Sequence, residues 1–252
     1  MNEEDLIKHK LLDTANQAYK NNTFTFTNFL SMSELSIFYS MRQQLSFIDF
    51  EVFGGNDICE RCVLKFGNKD ILGYDIDYPI DTIKICPMTP KFAENLSHRD
   101  YLGALMNLGI KRELLGDILI KEKIAYLFCL DHITDFIITN LHQVKHTGVK
   151  LMKVESADLA EVSQKKENLD LIAASARIDA VVSSITKLSR SKVKELFLAK
   201  KIFVNGMCNE NVSYNLKSND ILVIRGVGKF IFIGNGKETK SGRVYVNLQK
   251  YT

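Results

Sequence analysis

The spacing of apolar residues changes several times along this chain, and each change predicts a different element. Residues 2–20 read as a polar helix, Thr25–Asn28 as a turn-like break, and Glu34–Leu45 as a second helix. Phe47–Phe53 and Cys59–Phe66 have the composition of strands, with Gly54 and Gly55 as a turn signal between them. Thr82–Cys86 predicts a further strand. Ser97 is placed to cap a helix that offers Leu102, Leu105, Met106 and Leu108 to a core and stops at Gly109. Asp117–Ile120 and Ile124–Leu130 predict strands around a tight turn. Asp131 then opens a helix with Ile133, Phe136, Ile137 and Leu141 on one face, and Val149–Val154 predicts a last strand. This β-α-β-β-α-β order is the ferredoxin-like pattern. RNA-recognition modules, enzymes and scaffolds all use it, so it assigns a fold and no function. Ser156–Asp170 is polar, lacks a clear core face and predicts a linker.

A helical period returns after the linker. Ile178, Val181, Val182 and Ile185 fall at i, i+3, i+4 and i+7 and predict one short amphipathic helix. Ser189 is the expected cap of a second helix, whose buried stripe is Val193, Leu196 and Phe197. Ile202–Val204 predicts a strand, and Asn205–Gly206 is a hairpin-turn dipeptide. Arg190, Lys192, Lys194, Lys200 and Lys201 cannot all point inward, so they line the solvent side and the helix ends. Two helices on a hairpin with such cations form a platform for phosphates. Arginine offers a two-bond fork, and a helix start offers free N–H groups. The fold class expected is α+β, in four segments. They are an N-terminal region (1–78), a ferredoxin-like, RRM-like middle domain (79–155), the linker (156–170) and a domain of two short helices on a small sheet (171–252).

Charge sharpens this division. The whole chain of 252 residues carries +3, but residues 171–252 hold 14 Lys and Arg against 5 Asp and Glu, a net of +9. Residues 1–170 hold 19 against 25, a net of −6. A basic module on an acidic body points to a polyanion partner for the C-terminal part. No apolar run reaches the roughly 18–20 residues of a membrane span. The polar start MNEEDLIKHK is unlike a secretory signal, and five scattered cysteines suit free thiols in a reducing cytosol. A cytoplasmic location, no membrane contact and a monomer are therefore the expectations.

Catalytic and metal chemistry find little support. Cys59 and Cys62 have C-x-x-C spacing, but a zinc site needs two more ligands and the pair falls in a predicted strand. His142 and His146 are four apart, across an expected helix end. Gly226-x-Gly228 lacks the third glycine and following helix of a dinucleotide loop. No metal, cofactor or catalytic residue is expected. The polyanion contacts expected are Arg177, Ser189, Arg190, Ser191, Lys192, Lys194, Lys200, Lys201, Asn205, Arg225 and Lys229. A second contact is expected at Lys111 and Arg112, which alternatively solvate a helix-to-strand turn. The rival readings are an RNA-modifying enzyme of the pseudouridine-synthase or methyltransferase type, and an assembly or cell-division scaffold.

Arg177-x-Asp179, Leu188-Ser189-Arg190, Leu196-Phe197, Val204-Asn205-Gly206 and Arg225-Gly226-x-Gly228-Lys229-Phe230 together resemble a known domain. It is the RNA-binding domain named after the fourth small-subunit ribosomal protein, also called the alpha-L motif. Family members usually carry Gly where this chain has Lys200, so the second helix is expected to end differently. Upstream, His98-Arg99-Asp100, Gly103–Glu113 and Gly116-Asp117-Ile118 resemble the middle domain of the bacterial YlmH family. Around Gly54–Arg61 that family usually reads GGYEGAER, and here the Tyr and small residues are replaced. The resemblance implies a non-catalytic protein of ribosome quality control. Its implied partners are rRNA and tRNA on a large ribosomal subunit that carries obstructed peptidyl-tRNA.

Overall fold

The computed structural model describes residues 2–155, 166–239 and 242–251. The chain divides into two compact units, Met1–Ser163 and Gln164–Thr252.

The first unit opens with α1 (Glu3–Asn21), whose Asn2 and Asp5 cap each other's backbone. Next come β1 (Thr25–Phe26), α2 (Met32–Ser40), β2 (Phe50–Phe53), β3 (Val63–Phe66) and the single turn α3 (Lys69–Leu72). The strands form a three-stranded sheet in the order β1-β3-β2. Helices α1 and α2 close one face of it through Leu11, Ala15, Leu35, Phe38, Leu64 and Phe66. Both strands β2 and β3 are shorter than the sequence suggests, because residues 47–49 still belong to the connection after α2 and residues 54–62 leave the sheet as a loop. Gly55 in that loop has φ +96, and a Cβ there would meet the Phe128 ring at 2.3 Å. Only glycine lets the backbone pass at that point.

The unit continues with β4 (Ile80–Pro87), α4 (His98–Asn107), β5 (Leu115–Lys121), β6 (Ile124–Leu130), α5 (Thr134–Asn140), β7 (Gln143–Val144) and β8 (Thr147–Val154). The sheet order is β5-β6-β4-β8-β7, with every neighbouring pair antiparallel. Strand β6 alternates strictly. Ala125, Leu127 and Cys129 face α4 and α5, with Ile83, Ile85, Tyr101, Leu105 and Ile137. Tyr126, Phe128 and Leu130 face the other way, onto Phe29, Cys59 and Val63 of the N-terminal region. Two expected core residues turn outward: Met106 is 43% exposed on α4 and Phe136 is 47% exposed on α5. Helix α5 starts only at Thr134, after a 3-10 turn over Asp131–Ile133, and buries Thr134 and Ile137, which leaves Phe136 about 100° round the helix from Ile137 at the surface.

The second unit contains β9 (Lys166–Ala173), α6 (Ile178–Thr186), α7 (Arg190–Leu198), β10 (Ile202–Val204), β11 (Met207–Cys208), β12 (Ile221–Ile224), β13 (Gly228–Glu238) and β14 (Val244–Tyr251). Its antiparallel sheet runs β11-β10-β12-β13-β14-β9. That is six strands, larger than the small sheet expected. The expected linker also needs correction at its C-terminal end, because residues 166–170 pair with β14 as part of β9. Residues 156–165 of that linker lie outside the described residues. The core comprises Ile178, Val181 and Val182 of α6, Val193 and Phe197 of α7, and the inward residues of the sheet, among them Leu222, Phe230 and Val246. The described residues contain no helix long and apolar enough to cross a membrane.

Candidate nucleic-acid interface

Helices α6 and α7 present the second unit's candidate cations. Arg177 is the N-cap residue of α6, and its guanidinium grips Asp179 through Nε at 3.1 Å and a terminal nitrogen at 3.0 Å. Arg177 and Asp179 therefore form a surface ion pair. It occupies much of the arginine's fork while leaving the group at the surface.

Ser189 precedes α7 as expected, but its side chain does not cap the helix. Its hydroxyl instead meets the Ser191 hydroxyl at 3.0 Å. The start of α7 therefore keeps backbone N–H groups turned toward solvent, beside the exposed Arg190. Arg190 and Lys194 lie one turn apart on the same flank. Lys192 lies two residues from Lys194, about 200° around the helix, so those two lysines serve opposite flanks. The Arg190–Lys194 stripe runs on to Leu198, which is 84% exposed. Leu198 was absent from the expected contacts. The signal was available, because it falls off the Val193–Phe197 face.

Lys200 has φ +51, a left-handed residue. Its N–H bonds to the Phe197 carbonyl at 2.9 Å, and that of Lys201 bonds to Leu196 at 3.0 Å. This paired closure is the one glycine usually supplies. The helix therefore ends in the left-handed geometry despite the lysine, contrary to the expected difference. The Lys200 ammonium pairs with Glu210 at 3.3 Å. Arg225 sits close to Lys201, since its N–H donates to the Lys201 carbonyl at 2.9 Å. The fold thus gathers Lys200, Lys201 and Arg225 at the C-terminal end of α7, and Arg190 marks the other end. Lys229 lies on β13 with its ammonium 4.9 Å from the Tyr251 ring centre.

Asn205 does a different job. It and Gly206 have φ of +50 and +80, as the β10–β11 turn requires. Its side-chain amide donates to Asp220 at 2.8 Å, and its carbonyl accepts the Ile221 N–H at 2.9 Å. The buried Asp220 carboxylate also accepts from the Tyr214 hydroxyl at 3.0 Å and the Lys217 N–H at 2.8 Å. Asn205 therefore serves turn construction, with both ends of its amide occupied.

The second contact expected in the middle region divides. Lys111 is exposed. Arg112 turns inward and donates to the Leu115 and Gly116 carbonyls at 2.6 and 3.0 Å. Burial, and then the neighbouring Arg61 charge, bring its pKa down to about 10. Arg61 donates to the carbonyls of Leu115, Phe29 and Arg112. The Asp117 carboxylate accepts the Arg61 N–H at 2.9 Å and also that of Glu60. These side chains fasten the 54–62 loop to β5. Burial, and then the Arg112 charge, lower the pKa of nearby His98. The described residues contain no group of three or more His, Cys, Asp or Glu suited to a metal. His142 and His146 both lie beyond α5.

Residues 75–158 match the family model described as "Putative RNA-binding domain in YlmH". The chain is 29% identical over 224 residues to the "Ribosome-associated protein quality control protein P2" of Bacillus subtilis (strain 168). That match covers 89% of this chain and 86% of the relative. In fold it is similar to the solved "Cell division protein ylmH from Streptococcus pneumoniae", with a TM-score of 0.50 at 18% identity. The structural match covers 63% of this chain and 94% of the other.

Proposed function

The chain belongs to the bacterial YlmH family, and on that premise we propose that it is a non-catalytic, ribosome-associated RNA-binding protein of ribosome quality control. The observation that carries the reading is the surface of α7. It combines an uncapped helix start, Arg190 and Lys194 on one flank, and Lys200, Lys201 and Arg225 at the far end. Such a surface meets the spaced phosphates of a folded RNA. The second unit is then an alpha-L domain enlarged by β9 and β14, and β4–β8 form a ferredoxin-like module. The large subunit with obstructed peptidyl-tRNA is the target proposed, and the relative's name, which speaks of ribosome-associated quality control, supports the ribosome as the partner.

Within this reading the phosphate contacts are Arg190, Lys194, Lys200, Lys201 and Arg225, with Ser191 at the helix start and Lys192 on the opposite flank of α7. Arg177 contributes from within its ion pair, and Lys229 and Lys111 lie outside the α7 surface. Ser189 stands with Ser191 at the helix start, and Asn205 and Arg112 act in the fold.

Co-sedimentation of the full chain with large ribosomal subunits tests the reading. Arg190→Ala with Lys194→Ala should lose most of the bound fraction at a salt concentration where wild type is half bound. Lys217→Ala with Lys237→Ala removes the same charge from other exposed positions and should cost much less. Equal losses from both pairs would mean that bulk charge, and not this surface, carries the binding.

A further inference from the structure

Four-stranded sheets of the RNA-recognition type stack bases on aromatic residues of an open face. In this chain the corresponding aromatics are closed off. Tyr126 and Phe128 are 2% and 0% exposed, because the N-terminal region packs over them. An RNA meeting the first unit must find another surface.

The opposite layer has one. A cleft of about 610 Å³ opens between α4 and the segment that joins α5 to β7. Arg99, Gly103 and Asn107 line one side, and Asn140, His142 and Gln143 line the other. Arg99, Gly103 and Asn107 of α4 are not part of the core. Gly103 is the most telling. It sits inside α4, where glycine weakens a helix. No positive φ requires it, and a Cβ built there would meet nothing within 4 Å. A glycine with neither a packing nor a backbone reason fits a floor that a flat ligand must approach closely.

The lining supplies suitable chemistry. Arg99 carries a planar fork for a phosphate. The amide of Asn107 carries both a donor and an acceptor, the pairing shown by a base edge, while the Asn140 and Gln143 amides already donate to the Phe136 and Lys145 carbonyls. The one carboxylate of the lining is committed. Asp100 accepts from the Ser97 N–H and hydroxyl, each at 2.7 Å, and pairs with Lys145 at 2.8 Å. It therefore offers an incoming anion little repulsion. The cleft's size lies within the range of small-ligand pockets.

We infer that this cleft binds a single unpaired nucleotide of an RNA, with the base over Gly103 and the phosphate at Arg99. The inference rests on the RNA-binding reading above and assigns the first unit its own contact.

Photo-crosslinking tests it on the full chain. The probe is a short single-stranded RNA in which 4-thiouridine replaces uridine, and crosslinked peptides are mapped by mass spectrometry. Wild type should crosslink within residues 98–108 or 140–145 as well as in the second unit. Gly103→Leu fills the floor and Arg99→Ala with Asn107→Ala removes the polar contacts. Each should lower the first-unit yield by about tenfold, the size of losing one charge-assisted hydrogen bond. The second-unit crosslinks should persist. Gly103→Leu should melt no lower than wild type, so a misfolded variant would be recognised, and the Arg99 and Asn107 pair gives an independent reading. Second-unit crosslinks with none in the cleft, or cleft crosslinks that ignore both variants, would overturn the cleft alone. No crosslink anywhere would overturn it together with the RNA-binding reading.

Discussion

Lys200 holds a conformation that costs a lysine about 1–2 kcal/mol and glycine almost nothing. Glycine also loses more freedom on folding, which offsets part of that gain. Lys200→Gly should therefore raise stability by about 0.5–1 kcal/mol in chemical denaturation while weakening RNA binding slightly through the lost cation. A destabilised variant would mean that the Glu210 pair matters more than the backbone. Asp220 predicts the opposite. Its buried carboxylate holds Asn205, Tyr214 and Lys217, so Asp220→Ala strands three donors and should cost about 3 kcal/mol. Asp100 gives a pH signature. Its hydrogen bond from Lys145, followed by those from Ser97, lowers its pKa from 3.8 to about 2 in the folded chain. The stability this contributes is fully present above about pH 4 and is lost as pH falls through 2. Melting curves should show wild type approaching Asp100→Asn across that window and separating from it above. Parallel curves throughout would remove Asp100 from the acid response.

Among elements, the 54–62 loop carries the join between the three-stranded sheet and the sheet of β4–β8. Arg61 reaches three carbonyls from a single planar group, a geometry that an ammonium cannot copy. Arg61→Lys should consequently destabilise almost as much as Arg61→Ala, by about 2–3 kcal/mol in denaturant titration. A lysine variant as stable as wild type would show that charge alone suffices there. This join was illegible in the sequence because its acceptors are main-chain groups of Phe29 and β5, far apart in the chain. Arg112 was misread for a related reason: whether it points out or back onto Leu115 depends on the bend into β5. The stripes of α6 and α7, the Ser97 cap and the Asn205–Gly206 turn were legible, since period and turn chemistry are local. β9 also has alternation, with Leu169 and Leu171 turned toward the core, yet its polar half read as linker. Its partner β14 lies about eighty residues away, and only that pairing makes the segment a strand.

For the whole molecule, that pairing fixes where a fragment that carries the second unit must begin. Strand β9 is the edge of the second unit's sheet and pairs with β14 from Lys166↔Tyr251 to Ala173↔Val244. A fragment starting at residue 171 discards five residues of this ladder. It leaves half of β14 with unpaired backbone groups and uncovers Leu248, which faces the core opposite Leu169. A fragment starting at residue 164 keeps the whole sheet. The longer fragment should therefore unfold in one cooperative transition, and the shorter one should melt at lower temperature or associate. Both retain every cation of the α7 surface, so their RNA affinities should differ only as far as folding differs. With Arg190, Lys194, Lys200, Lys201 and Arg225 each meeting a phosphate, log K against log salt should fall with a slope of roughly −3.5 to −4.5. Fluorescence titration of the longer fragment at several salt concentrations measures this directly. A slope near zero would remove phosphate docking as the basis of binding. Equal melting of the two fragments would show that β9 adds nothing to the stability of the fold that presents α7.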